Sequence, residues 1–226
     1  MSNFISLWQA AVTFGTVILF GALGELITEK SGNLNLGTPG IMYLGGIASL
    51  IGAFFYENGN PNPSPVVGIL IALICAIIAS ALGGLLFSFL TITLRANQNV
   101  TGLTLTILGS GIANFFGGSL NKLAGGVGQI SVATTSSGFR AVTGLSNAGT
   151  VGQLLFSYGF LTYVGIVFAI LVSLFLNRTR AGLNLRAVGE SPATADAAGI
   201  NVTAYKYLAT CVGSAVTGLG GVFYTM

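Results

Sequence analysis

Charge is scarce in this sequence. Only 6% of the 226 residues are charged, 8 of them basic and 5 acidic, whereas a soluble domain has about a quarter of its residues charged. A chain with so few charges cannot cover its surface with groups that bind water, so we expect most of that surface to face lipid. An ordinary cytosolic enzyme is excluded.

Other residue types that carry chemistry are also missing. The chain has no histidine, the usual general base and the commonest metal ligand. Its two cysteines, Cys75 and Cys211, lie inside apolar runs, where buried structural residues are expected rather than a disulfide framework or a zinc site. The few basic residues are scattered, which argues against nucleic-acid binding. We therefore predict no catalytic residues, no metal site and no enzyme activity.

The apolar residues form runs long enough to cross a bilayer. The fold class predicted from them is an all-α, polytopic transmembrane helical bundle of about six spans with re-entrant or broken segments. The predicted spans cover 7–26, 38–56, 66–94, 100–116, 159–176 and 207–226. Between the fourth and fifth spans, residues 117–150 are rich in Gly, Ser and Thr. This length is unusual for a loop and suggests either a function or a re-entrant piece, and 151–157 is expected to form a half-helix.

The basic residues predict the orientation of the chain. If the loop after Arg178 is cytoplasmic, alternating spans bring six basic residues to the cytoplasmic side and leave Lys122 and Arg140 outside. Such a bias follows the positive-inside rule. The six are Lys30, Arg95, Arg178, Arg180, Arg186 and Lys206.

A short helix is predicted in the cytoplasmic segment after the fifth span. Ser191-Pro192 is a helix start and Gly199 a helix end, which indicates a two-turn helix over 192–198. Its surface is mostly alanine. A small-faced helix of this kind suits a groove on a partner protein, although a plain loop is the alternative interpretation.

Polar residues in two other stretches are candidates for a solute pathway. Irregular backbone at 24–42 is tolerated at membrane depth only inside a protein or along a wet cavity, and 95–101 leads amides and hydroxyls into the fourth span. The alternatives are a solvated turn and ordinary helix capping. Neutral donors and acceptors would suit a polar, uncharged solute. The pathway candidates are Asn33, Asn35, Asn97, Asn99, Thr101 and Asn114.

Small residues in the last run predict close packing. Gly213, Thr217 and Gly221 are spaced four apart, so they lie on one helix face where another backbone can approach. We expect this face to be buried.

Two motifs carry a family resemblance. The first is Glu-Lys-Ser-Gly-Asn-Leu-Asn-Leu-Gly-Thr-Pro-Gly-Ile-Met from Glu29 to Met42, preceded by Gly24-Glu25, and the second runs from Leu185 to Val202 as Leu-Arg-Ala-Val-Gly-Glu-Ser-Pro and onward to Gly-Ile-Asn-Val. Together with 96–103, they resemble the permease subunits of ABC importers in the branched-chain amino acid/ribose permease family. The likeness is closest to the simple-sugar and nucleoside branch.

The resemblance implies a set of partners and a location. It implies a multi-pass permease in the cell membrane's lipid bilayer, a second permease subunit (identical or different), cytoplasmic ABC ATPases and an extracellular solute-binding lipoprotein. A coupling helix would contact the ATPase, with residues Arg186, Gly189, Glu190, Pro192, Ala195, Asp196 and Gly199 involved. Such permeases continue for further spans, so the resemblance also implies that this single domain, 1–226 with its coupling segment at 182–202, is truncated at the C-terminus.

The chain itself is expected to bind no cofactor. Gly213 to Gly218 has the glycine spacing of a phosphate-binding loop, but Leu219 stands where lysine is required, so ATP would be used by the partner ATPase. The predicted function is a permease subunit of an ATP-driven importer for a nucleoside or simple sugar. The alternatives are a branched-chain amino acid permease subunit, or a self-contained channel or ion-coupled carrier.

Overall fold

The computed structural model describes residues 2–123, 132–140, 152 and 154–226, and every regular element within this part is helical. The helices are α1 (Ser2–Glu29), α2 (Thr38–Gly59), α3 (Pro65–Ser88) with a π-helical extension (Phe89–Thr93), α4 (Gln98–Leu123), α5 (Ala133–Phe139), α6 (Phe160–Arg178), α7 (Arg180–Glu190), α8 (Pro192–Ala197) and α9 (Val202–Thr225). The predicted all-α class is confirmed.

Six of these helices are long and apolar enough to cross a membrane, namely α1, α2, α3 with its extension, α4, α6 and α9. Large apolar side chains stand exposed on their outer faces, for example Ile78 at 55% and Ile107 at 73%. In water such a surface would be unstable, whereas in a bilayer it meets lipid tails. The predicted number of spans is therefore confirmed.

Helix α9 lies at the centre of the bundle and packs against α1, α2 and α3. Small residues allow this because the facing backbones come close. A Cβ on Gly221 would lie 2.0 Å from the carbonyl oxygen of Met42, and one on Gly213 would lie 2.4 Å from that of Gly24. Gly213, Thr217 and Gly221 are all buried, which confirms the predicted contact face.

Helix α3 has its own series of small residues, which meets α9 around Ala76, Ser80 and Gly84. Every fourth position is small and buried, so a single stripe runs the length of the helix. The stripe consists of Gly68, Ala72, Ala76, Ser80, Gly84 and Ser88. At Gly84 a Cβ would lie 2.3 Å from Ser214 Oγ, and at Gly218 on the opposite helix 2.0 Å from Ser80 Oγ.

The structure corrects part of the predicted long loop at 117–150. Helix α4 continues to Leu123 and α5 occupies Ala133–Phe139. Glycine-rich composition was misleading here because a helix inside a membrane retains its backbone hydrogen bonds when glycines occur in it. Residues 124–131 and 141–150 lie outside the described residues, as do 151 and 153 of the predicted half-helix.

Helix α5 is attached to the end of α2 and the beginning of α3. Glu57 Oε1 accepts a hydrogen bond from the Thr135 amide at 2.7 Å, and Gly138 lies against Pro65 and Ile69. Helix α5 is therefore held by both α2 and α3, and the re-entrant piece stays a prediction.

Candidate functional site

The predicted cytoplasmic helix is present as α8. Pro192 occupies its first turn, and Gly199 ends it in the left-handed conformation, with φ +82°. The amides of Gly199 and Ile200 donate to the carbonyls of Asp196 and Ala195, which is the hydrogen-bond pattern of a glycine-terminated helix. The predicted start and stop are confirmed, and the last predicted residue, 198, is the cap.

Most of α8 faces outward, with one exception among the predicted coupling residues. Ala195 is only 3% exposed, so its side chain packs inside the chain and cannot itself enter a groove on a partner. The exposed residues of the segment are Pro192, Ala193, Thr194, Asp196 and Ala197. The surface available to a partner is therefore small-faced, with one negative charge at Asp196.

Helix α7 directly precedes α8 in the chain and packs against the end of α6. Its apolar side is buried through Leu185 and Val188, and Gly182 allows contact because a Cβ there would lie 2.1 Å from the Phe175 carbonyl oxygen. Arg186, another predicted coupling residue, donates from Nη1 to Asn177 Oδ1 at 3.3 Å. Arg186 is thus oriented toward α6 rather than toward α8.

The end of α7 contacts the turn after α1 through two glycines. A Cβ on Gly189 would lie 2.4 Å from the Lys30 carbonyl oxygen, and one on Gly32 would lie 3.3 Å from Gly189 Cα. Gly32 also has φ +83°, which favours glycine for a second reason. We call this contact between Gly189 and the Lys30–Gly32 turn the glycine joint. It is the point where the predicted coupling segment touches the first interhelical turn of the bundle.

Beyond the glycine joint, the chain runs through residues 33–38, in which Asn33, Asn35 and Gly37 are buried and the two leucines are exposed. Asn33 Nδ2 donates to Thr210 Oγ1 on α9 at 3.3 Å. Glu25 on α1 accepts from the Asn35 amide at 2.8 Å and from Thr38 Oγ1 at 3.0 Å. These hydrogen bonds fix the segment to α9 and α1.

The same segment is also attached to α4. Gln98 Oε1 accepts from the Leu34 amide at 2.9 Å, and Thr106 Oγ1 donates to the Leu36 carbonyl at 3.1 Å. Gly102 permits the approach, since a Cβ there would lie 2.8 Å from the Leu36 nitrogen. Residues 33–38 therefore form a bridge from the glycine joint to α4.

The structure separates the predicted pathway residues into different environments. Asn33 and Asn35 are 1% and 3% exposed, and their side chains make structural hydrogen bonds. Asn97 Oδ1 accepts from the Asn99 amide at the start of α4. Asn97 and Asn99 are exposed, Thr101 is 8% exposed, and Asn114 is exposed. The first five residues lie at one end of the bundle, while Asn114 lies 13 residues further along α4 than Thr101, roughly 20 Å away.

Several functional contacts were not predicted. Glu25 was named only as part of a family motif, and Gln98 was not singled out. The glycine joint pairs residues that lie in two separate motifs. The one available signal was that both motifs contain a glycine beside charged residues, in Lys30-Ser31-Gly32 and Gly189-Glu190.

Comparisons with known proteins agree on one family. The model of the family described as branched-chain amino acid transport system / permease component matches residues 8–226. TsgC13 of Haloferax volcanii, provisionally named a glucose ABC transporter permease protein, is 34% identical over 98% of this chain and 63% of its own length.

Two further relatives carry nucleoside names. The nucleoside ABC transporter permease protein NupC of Lactococcus lactis is 32% identical over 93% of this chain and 64% of its own length. The guanosine ABC transporter permease protein NupQ of Bacillus subtilis is 29% identical over 95% of this chain and 65% of its own length. The chain thus spans slightly under two thirds of these relatives, and no solved structure matches it.

Proposed function

Because the chain belongs to the family of permease components of branched-chain amino acid transport systems, we propose that it forms a membrane-spanning subunit of an ATP-driven importer for a small polar solute. Nucleosides and simple sugars are the proposed substrates. The names of relatives in Lactococcus lactis, Bacillus subtilis and Haloferax volcanii support this choice, with branched-chain amino acids as the alternative.

The observation that carries the proposal is the arrangement of α8, the glycine joint and residues 33–38. An exposed, small-faced helix suits a groove on an ATPase, because small side chains allow close docking without overpacking. The glycine joint then connects this helix to a segment that is hydrogen-bonded to α1, α9 and α4. A movement imposed on α8 can therefore reach the membrane helices through direct contacts.

The proposed mechanism has three steps. ATP binding closes the partner ATPases around α8, and α7 moves with it. Gly189 then displaces the Lys30–Gly32 turn, since their backbones already touch. Finally, residues 33–38 shift α4 relative to the central helices, and access alternates between the two sides of the membrane.

The proposed assembly includes several further components. A second permease subunit, identical or different, completes the pathway, and an extracellular lipoprotein delivers the solute to the outer face. The ATPases use the ATP, and this chain binds no cofactor or metal and no nucleic acid. The chain is a multi-pass membrane protein, and we assign it to the cell membrane as one domain with its coupling segment at 182–202.

The test places a bulky residue on the exposed surface of α8. Ala197→Trp should weaken ATPase association by roughly five- to more than a hundredfold, because overpacking an interface costs about 1–3 kcal/mol. The measurement is co-purification of the ATPase with the permease, followed by solute-stimulated ATP hydrolysis. The matched control is Ala133→Trp, because Ala133 is also an exposed helical alanine but lies on α5. Normal ATPase stoichiometry and uptake in Ala197→Trp would contradict the docking role.

A further inference from the structure

A cleft lies between α1 and α6 at the ends that the charge bias assigns to the cytoplasm. Its volume is about 290 Å³; Lys30, Asn177 and Arg186 line one end, and the remaining lining residues are Leu26, Ala169, Ser173 and Leu176, of which only Ser173 is polar. Ala169 and Asn177 both line it, so the cleft extends along roughly 12 Å of α6. It is therefore cationic at its rim and apolar in its depth.

The two cations at the rim are available to an anion. Arg186 donates to the neutral side chain of Asn177, and Lys30 is exposed. Among the described residues, neither cation lies within ion-pair distance of a carboxylate. On their other side the same two cations border a smaller notch of about 150 Å³, whose lining also includes Glu29 and Glu190.

The position of the cleft matches the boundary of a bilayer. Helices α1 and α6 are both candidate spans, ending at Glu29 and Arg178, so the rim lies where phospholipid headgroups lie. Basic pockets between membrane helices on the cytoplasmic side bind lipid headgroups. The apolar depth of the cleft, at the level of Ala169, would face acyl chains.

We propose that this cleft binds a phospholipid that carries an amine in its headgroup. The phosphate lies between Lys30 and Arg186, the ammonium group lies in the notch beside Glu29 and Glu190, and an acyl chain follows α6 toward Ala169. Two cations followed by two carboxylates complement a zwitterionic headgroup better than a purely anionic one. This inference rests on the placement in a membrane and not on the transported solute.

The experiment measures the lipid retained by the purified 226-residue chain. The purified protein is titrated with phosphatidylethanolamine, phosphatidylglycerol or phosphatidylcholine, and bound lipid is counted by native mass spectrometry. We expect the strongest binding for phosphatidylethanolamine. Removing each cation, as Lys30→Gln and Arg186→Gln, should weaken it roughly fivefold, and the double change roughly thirtyfold.

Three variants control this result. Arg95→Gln removes a cation from the cytoplasmic end of α3 and should leave binding unchanged. Ala169→Phe fills the depth of the cleft without changing any charge and should also reduce binding. Glu29→Gln with Glu190→Gln should shift the preference toward phosphatidylglycerol, because the local charge becomes positive.

Two outcomes would overturn the proposal. The first is wild-type affinity for phosphatidylethanolamine in the folded double variant Lys30→Gln, Arg186→Gln. The second is complete displacement of the lipid by an equal concentration of water-soluble glycerophosphoethanolamine, which would identify a site for free phosphate compounds. Neither outcome would affect the proposed transport function, since lipid binding is measured without ATPase or solute.

Discussion

Helices α9 and α4 have similar lengths but opposite environments. In the most apolar part of α9, 61% of the residues are buried, against 22% in α4. Helix α9 is in contact with three other spans, whereas α4 packs chiefly on α2. Helix α9 is therefore largely enclosed by other helices, whereas α4 is held mainly along one face.

The two helices nevertheless use the same kind of contact. Gly221 of α9 touches the carbonyl of Met42, and Gly109 of α4 touches the carbonyl of Gly40, with hypothetical Cβ distances of 2.0 and 2.2 Å. The two helices differ in how closely other helices surround them. Neighbours on several sides confine α9, whereas within the described residues the outer face of α4 is exposed. The comparison indicates that α9 provides the rigid centre and that α4 is the span suited to movement.

The largest effect is expected for Gly221→Ala. The new methyl group would force apart α9 and α2, and the contacts of α9 with α1 and α3 oppose a shift, so the loss of stability should be near the upper end of overpacking costs, about 3 kcal/mol. Reversible unfolding in detergent mixtures would measure it. An unchanged unfolding curve would show that α9 is less confined than the contacts indicate.

A smaller effect is expected for the matched change Gly109→Ala. The methyl group meets the Gly40 carbonyl at a similar distance, but within the described residues the outer face of α4 is exposed, so the loss should be about 1 kcal/mol. Both changes gain the same helix propensity on replacing glycine by alanine, so that contribution cancels between them. If the two variants were equally unstable in the same assay, the contrast between centre and edge would be refuted.

Much of the fold could be predicted from local chemistry. The six apolar runs correspond to the six candidate spans, because crossing a bilayer demands about twenty apolar residues in a row. Ser191-Pro192 and Gly199 also predicted the ends of α8 closely, since proline in a first helical turn and glycine after a last one have direct steric causes.

The errors and omissions have a different cause, which is tertiary contact. Ala195 is buried although its neighbours are exposed, and a helix of six residues is too short for periodicity to distinguish its faces. Asn33 and Asn35 are held by partners on α9 and α1. The glycine joint brings together residues more than 150 positions apart, and no local pattern predicts such a contact.

In the proposed mechanism, the glycine joint transmits movement from α8 to the membrane helices. Gly189→Ala tests it most directly, because the added methyl group would lie 2.4 Å from the Lys30 carbonyl oxygen. The measurement is the number of solute molecules imported per ATP hydrolysed by the complete transporter in proteoliposomes. Gly59→Ala is the control, since a Cβ there meets nothing within 4 Å.

We predict that Gly189→Ala retains its ATPase and continues to hydrolyse ATP, while solute imported per ATP falls about fivefold or more, in line with an overpacking cost of at least about 1 kcal/mol. The control should keep the wild-type ratio. A wild-type ratio in Gly189→Ala, with the protein folded and the ATPase bound, would contradict transmission through this joint.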